Sequence, residues 1–306
     1  RGEAHLSGTH LLDPDTGEMH AICYFGQDPT TIWHTVLDRS GKVRRNEPIA
    51  VQDGPSIHDC MITKSYVVVM DLPVTFSMPA LIAGDSFPYR WNPKHAARIG
   101  LLPREGKGSE IIWCDIDPCY IFHPANAFET ADGKVVMDAG VYKSVFDNGA
   151  SGPDSSGTPF ERLTIDPAAK RVTRKVIDAA AQEFPRPDER LTGKPYRYAY
   201  CVALPEAGTP GFLGNSRLFK HDLETGARQV HDFGKGRMPG EFVFVPKHAT
   251  SGEDEGWLIG YVLDADADTT DLVILDARNF TGPPQATITV PQRIPPGFHG
   301  NFIPMA

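Results

Sequence analysis

WLIGYVLDADADTTDLVILDARNFTGPPQATITV, residues Trp257–Val290, holds three apolar or β-branched runs: Trp257–Leu263, Leu272–Leu275 and Ala286–Val290. Runs this short, rich in Val, Ile, Leu and Thr, read as strands and not as helices. The acidic piece between the first two, Asp264–Asp271 (DADADTTD), reads as the solvated end of a hairpin. Strand, polar turn and strand again is therefore the local rule.

The rule extends along the chain. Ala21–Phe25, Tyr66–Met70, Ile111–Asp115, Val135–Ala139, Tyr196–Ala203 and Phe242–Pro246 are further strand-like runs. Asp38–Val43 (DRSGKV), Asp166–Val172 (DPAAKRV) and Asp222–Val230 (DLETGARQV) each separate two runs with an acidic or glycine-containing turn. No segment sustains an i, i+3, i+4, i+7 apolar stripe beyond two turns, and Asp178–Glu183 makes at most one helical turn. Many hairpins in a chain this long imply an all-β propeller or a large sandwich. Recurrence of similar turns at wide intervals favours the propeller, as successive blades would give. Asn148–Pro159 and Asp178–Pro195 read as surface excursions, and no interior linker divides residues 1–306, so one domain is expected.

Composition narrows the function classes. With 306 residues, 41% hydrophobic and 23% charged, the chain resembles an ordinary globular protein with room for a sizeable core. A net charge of −9 argues against a nucleic-acid partner, because no basic stripe exists to offset phosphate charge. The densest basic cluster, Arg171–Lys175, reads as a solvated strand face. No run of 18 apolar residues could span a bilayer. The five scattered cysteines, Cys114 and Cys119 included, read as core residues of a reduced compartment, and the expected location is cytoplasmic. The chain opens on Arg1 in mid-pattern, from which a missing N-terminal portion is expected.

Chemistry is carried by histidine. None of the eleven histidines forms HExxH or HxH, and no G-x-S-x-G elbow occurs. Pro291–Phe302 (PQRIPPGFHGNF) surrounds His299 with prolines and glycines, which fix and open φ respectively, and so aims one side chain. This reads as a metal ligand. His58 (GPSIHDCMIT) and His123 (IFHPANAFE) share the setting of a strand entrance flanked by backbone-shaping residues. Ligands supplied one per strand toward a common axis would be this far apart in sequence. Asp13, Asp15 and Gly17 imitate the start of a calcium loop, but Tyr24 occupies the twelfth position where a glutamate belongs, so a tight turn is expected.

These segments resemble the iron-binding segments of the carotenoid cleavage oxygenase family, which includes retinoid isomerases and stilbene-cleaving dioxygenases. IHDCMITKSYVVVMDLPVTF from Ile57, FHPANAFE from Phe122 and GFHG from Gly297 carry the resemblance. FPYRWNPKHAARIGLLPR (Phe87–Arg104), EFPRPDERLTGKPYRYAY (Glu183–Tyr200) and EFVFVPKHATSGEDEGWLIGYVLD (Glu241–Asp264) extend it in the family's order.

The resemblance implies a seven-bladed β-propeller, here incomplete, with one Fe(II) held by four histidines. His58, His123 and His299 match three of them, and Glu183 and Glu241 match glutamates that accept the far N–H of a ligand. At the first ligand the chain departs from the pattern. In GTHLLDPDTGE the position four before Asp13 is Thr9; a one-residue deletion puts His10 in the ligand's place, and otherwise three ligands remain. His5 and His20 are poorer candidates, and Phe25, Phe76, Phe128 and Phe298 are candidate cavity residues.

The implied activity is a non-haem iron dioxygenase that splits a C=C bond of an apolar conjugated substrate, a carotenoid, apocarotenoid or stilbene, into two carbonyl products. The implied partners are that substrate and O2, with peripheral membrane contact through the N-terminal part the chain lacks. The alternative is a non-catalytic or degenerate propeller with an impaired metal site.

Overall fold

The three apolar runs of Trp257–Val290 become the strands Gly256–Asp264, Thr269–Asp276 and Ala286–Val290. The acidic turn closes on itself, with the Asp264 carboxylate accepting the N–H groups of Asp266 and Ala267. Added to Arg237–Pro246, these strands make a four-stranded antiparallel meander in chain order. This computed structural model describes residues 5–6, 11–26, 28–147, 149, 157–205, 214–295 and 298–303. They fall in two compact units: Arg1–Asp154 with Pro159–Asp178 and Thr192–Pro195, and Ser155–Thr158 with Ala179–Leu191 and Tyr196–Ala306.

In the first unit, His5–Leu6 and Leu11–Leu12 both pair with Met19–Tyr24, which is followed by Thr31–Leu37 and Val43–Ala50. Two further meanders follow. One comprises Cys60–Ile62, Tyr66–Asp71, Arg98–Pro103 and Ile112–Asp115; the other comprises Pro124–Glu129, Val135–Gly140, Phe160–Asp166 and Arg171–Asp178. A single parallel bridge, Asp115↔Arg171, joins them into one eight-stranded sheet. The second unit holds the meander Gln182–Arg186, Tyr198–Ala203, Arg217–Asp222 and Ala227–Asp232, then the one described above.

Burial is graded along the meanders. Entry strands such as Cys60–Ile62, Pro124–Glu129 and Gln182–Arg186 are mostly buried, whereas the closing strands Val43–Ala50, Arg171–Asp178, Ala227–Asp232 and Ala286–Val290 are mostly exposed. Charges and Pro48 on Val43–Ala50 suit an edge that must not recruit another strand. Between sheets of the first unit, Ile22, Ile32, Ile49, Ile57, Ile62, Val67, Val69 and Leu102 pack together. In the second, Phe184, Tyr200, Phe242, Phe244, Leu258, Val262 and Phe280 do so. Each such side chain contributes roughly 1.5–3 kcal/mol.

Two expectations need correction, and one short element has no sequence signal. Asp178–Pro195 is no surface excursion: it carries the strand Gln182–Arg186 and the 3-10 turn Glu189–Leu191, and Gln182, Glu183, Phe184, Asp188 and Thr192 are buried. Its polar composition misleads because its charges are paired, Arg186 with Glu189 and Arg190 with Asp188. The short helix Met78–Ile82 has no apolar stripe to announce it and rests on the Ser77 N-cap, which accepts the Ala80 N–H. His299 lies in an irregular segment beyond Ala286–Val290, not at a strand entrance. Asn148–Pro159 falls largely outside the described residues. All five cysteines are buried, and no described helix is long and apolar enough to cross a membrane.

Candidate metal centre

His58 lies in the extended approach to Cys60–Ile62, and His123 immediately precedes Pro124–Glu129. Their Nε2 atoms face each other at 3.1 Å, with ring planes 85° apart. A hydrogen bond there needs one ring to carry its proton on Nε2. Two lone pairs aimed at each other need a cation instead. If each nitrogen sat about 2.1 Å from a shared ion, a 3.1 Å separation would subtend a little over 90°, the angle between neighbouring octahedral positions. The pair therefore fits a metal with imidazole ligands, whichever first-row metal fills it.

Several ties hold this geometry. The Tyr120 hydroxyl donates to the Ser56 carbonyl at 2.9 Å, joining the segment before His123 to the segment before His58. Phe122 sets its ring edge-on to His58 at 5.3 Å. Glu129, at the far end of His123's strand, accepts from the Thr63 hydroxyl at 2.7 Å and the Ser65 N–H at 2.6 Å. Asn126 donates to the Lys194 carbonyl at 3.0 Å and accepts the Gly193 N–H at 3.0 Å. The register slips between Pro124 and Asn126, a bulge that re-aims the strand entry beside His123.

We expect Tyr120→Phe to lower stability by about 1–2 kcal/mol, because a buried carbonyl loses its donor. Urea unfolding measures this, and an unchanged midpoint would show that the tie is idle.

In the second unit, His299 donates Nδ1–H to Glu241 Oε2 at 3.1 Å, which leaves the lone pair on Nε2. Glu241 sits in another bulge: Pro239 pairs with Val262 and Phe242 with Gly260, so the partner strand has one residue fewer. Glu183 sits beside a third, between Glu183↔Val202 and Arg186↔Tyr200, where Phe184 takes φ +52. Glu183 is buried, and one of its carboxylate oxygens accepts the Phe184 N–H. A cavity of about 380 Å³ lies against His299, lined mainly by apolar residues that include Phe298, Phe302, Tyr261 and Leu263.

His10 and Thr9 lie outside the described residues. His20 is a buried strand residue hydrogen-bonded to Arg104 and His34. Phe76 packs edge-on to Tyr89, and Phe25 and Phe128 are half-buried. Asp13 forms the expected tight turn: Oδ1 accepts the N–H groups of Asp15 and Thr16, and Gly17 has φ +70. Arg186, Tyr120 and Glu129 escaped the sequence reading, since each acts on a residue more than fifty positions away and no local spacing marks it.

An all-β fold thus presents a facing imidazole pair, His58 and His123, in its first unit, and an imidazole backed by a carboxylate, His299 with Glu241, in its second. The family model described as "RPE65: Retinal pigment epithelial membrane protein" matches residues 4–304. A "Carotenoid cleavage oxygenase" of Mycobacterium tuberculosis is 36% identical, over 95% of this chain and 67% of the relative. The Arabidopsis thaliana "Carotenoid 9,10(9',10')-cleavage dioxygenase 1" is 30% identical, over 95% and 56%. The chain belongs to the RPE65/carotenoid cleavage oxygenase family.

Among solved structures, cobalt-substituted Synechocystis ACO superposes with a TM-score of 0.88 at 29% identity, covering 100% of this chain and 66% of that one. Pseudomonas brassicacearum lignostilbene dioxygenase gives 0.84 at 24% identity, covering 94% and 64%, a likeness of fold. The fold class is thus the all-β, seven-bladed propeller, of which the chain spans about two thirds.

Proposed function

We propose that the chain is the metal-holding part of a non-haem Fe(II) dioxygenase that converts one C=C bond of an apolar conjugated substrate into two C=O groups. The observation that carries this is the face-to-face approach of His58 and His123 Nε2 at 3.1 Å, within two of the family's iron motifs. His58, His123 and His299 would hold the ion, with His10 as the fourth ligand and Glu183 and Glu241 as acceptors behind the imidazoles. A ferrous ion held there would supply the binding and activation of dioxygen.

The chain's own groups hold and orient. Glu241 fixes which nitrogen of His299 carries the proton. The apolar wall beside His299, with Phe298 and Phe302, offers a surface for conjugated carbon. Each alkene carbon ends with one oxygen atom of O2, so the C=C and O=O bonds are exchanged for two C=O bonds. Atoms and electrons balance without an external reductant, and no side chain is required as general acid or base.

Iron-reconstituted protein should be incubated with an apocarotenal, a C40 carotenoid and a hydroxystilbene under 18O2. One substrate class is expected to give two carbonyl products, each carrying label when rapidly trapped as oximes. Absence of cleavage from all three by iron-loaded protein would overturn the proposal.

A further inference from the structure

Arg186 ends the buried entry strand Gln182–Arg186, immediately after the bulge at Phe184. The bulge adds one residue against the partner strand, which re-aims the side chain that follows. Its guanidinium spans two carboxylates: Nη1 reaches Glu241 Oε1 at 3.1 Å, and Nη2 reaches Glu189. Glu241 Oε1 also accepts the Gly300 N–H at 3.3 Å, while Oε2 takes the His299 Nδ1–H at 3.1 Å. One oxygen of Glu241 is thus held by a cation and an amide, and the other by the imidazole.

The two partners of Arg186 differ. The Glu241 side chain is 4% exposed and that of Glu189 43%. The exposed carboxylate is solvated without help, whereas the buried one needs a counter-charge to stay ionised and in place. A planar guanidinium can hold both at fixed angles, which a single ammonium cannot.

We propose that Arg186 is a positioning residue for the metal centre: it fixes the Glu241 carboxylate, and through it the plane and tautomer of His299. The proposal rests on the reading of His299 as a ligand. Arg186 touches neither metal nor substrate, and its effect passes through Glu241.

The test titrates Co(II) into the metal-free full chain, following affinity and the visible d–d bands, with the thermal midpoint of the metal-free protein alongside. Arg186→Gln is expected to weaken Co(II) binding about 10–100-fold, the usual cost of losing an outer-sphere partner, and to change the d–d bands. Arg186→Lys is expected to fall between it and wild type. Arg197→Gln removes a comparable ion pair, with Asp222, in the same unit and is expected to leave affinity unchanged.

Wild-type affinity and spectrum in Arg186→Gln would overturn the proposal, as would an equal loss in Arg197→Gln. Should Arg186→Gln fail to fold, Arg186→Lys decides alone: intermediate affinity supports the role and unchanged affinity overturns it. His299→Ala separates the two levels. Unchanged Co(II) binding there removes the ligand reading and this inference with it. Loss of binding there, with none in Arg186→Gln, removes this inference only.

Discussion

Alanine at His58 or at His123 is expected to reduce the iron retained by reconstituted protein from about one ion per chain to below about a tenth of that. Loss of an outer partner alone typically costs 10–100-fold in metal affinity, so loss of a donor nitrogen should exceed about 100-fold. The structure adds a reason for equal effects at the two positions. Their Nε2 atoms face one another at 3.1 Å, so removing either breaks the same pair. Elemental analysis after desalting measures this, with dichroism to verify the fold. His299→Ala should behave in the same way. A loss of similar size in His10→Ala would make His10 the fourth ligand, and no change would leave three. Wild-type protein that takes up no iron would favour the degenerate propeller, and iron retained in His58→Ala would overturn the ligand assignment.

Acid is expected to destabilise the protein well above the ordinary carboxylate range, through a histidine pair remote in role from the metal. His20 and His34 lie on adjacent strands, in the registers His20↔Val36 and Ile22↔His34, which makes them diagonal neighbours. Arg104 can only donate, so His20 Nε2 accepts from it at 3.0 Å. His20 Nδ1–H then donates to His34 Nε2 at 3.0 Å. The chain of donors ends at His34 Nδ1, which is buried with no hydrogen-bond partner among the described residues.

Burial, with the nearby Arg104, lowers His20 from its usual 6.5 to about 4. Burial, with His20 and Arg45 beside it, lowers His34 to about 3. Between those values and 6.5 the unfolded chain binds more protons than the fold, so stability rises with pH across this window and is lost as pH falls through it. From pH 6.5 to 5 the loss is on the order of 2 kcal/mol per ring. His95, held between Asp53 and Asp71, acts in the opposite sense: its pKa is raised, and its contribution is lost only as pH climbs past that raised value. Asp13, brought down to about 2 by Arg104 and turn amides against the opposing effect of burial, matters only at lower pH. Urea unfolding at pH 6.5 and pH 5 should show the drop, and His34→Leu should remove about half of it. A flat profile in wild type would show that the rings titrate normally.

What the sequence discloses follows from what each interaction needs. Runs of β-branched residues advertise a strand whatever its burial, so the mostly exposed Ala286–Val290 is legible to the residue and the mostly buried Tyr66–Met70 misses only Asp71. Asp71 is opaque for a physical reason: a carboxylate inside a sheet looks like a strand end until Arg98 and His95 are seen to satisfy it. The same holds for Glu183, in a segment whose charges read as solvent-facing. Among candidate site residues, His58, His123 and His299 come forward through family motifs. The partners that aim them do not, because Tyr120 to Ser56 and Arg186 to Glu241 are contacts made by register and bulge across long stretches of chain.

The bulges at Pro124/Asn126, Glu183/Arg186 and Pro239/Phe242 bear on how such a protein tolerates change in length. Removing one residue from an ordinary connecting turn shortens a loop and leaves the flanking strands as they were. Removing one residue at a bulge restores regular pairing, and side chains beyond it exchange faces. Mutational drift in length should therefore concentrate in hairpin ends such as Asp264–Asp271 and be barred from these three places. A library of single-codon deletions, sorted for soluble expression and for retained metal, would map that boundary directly.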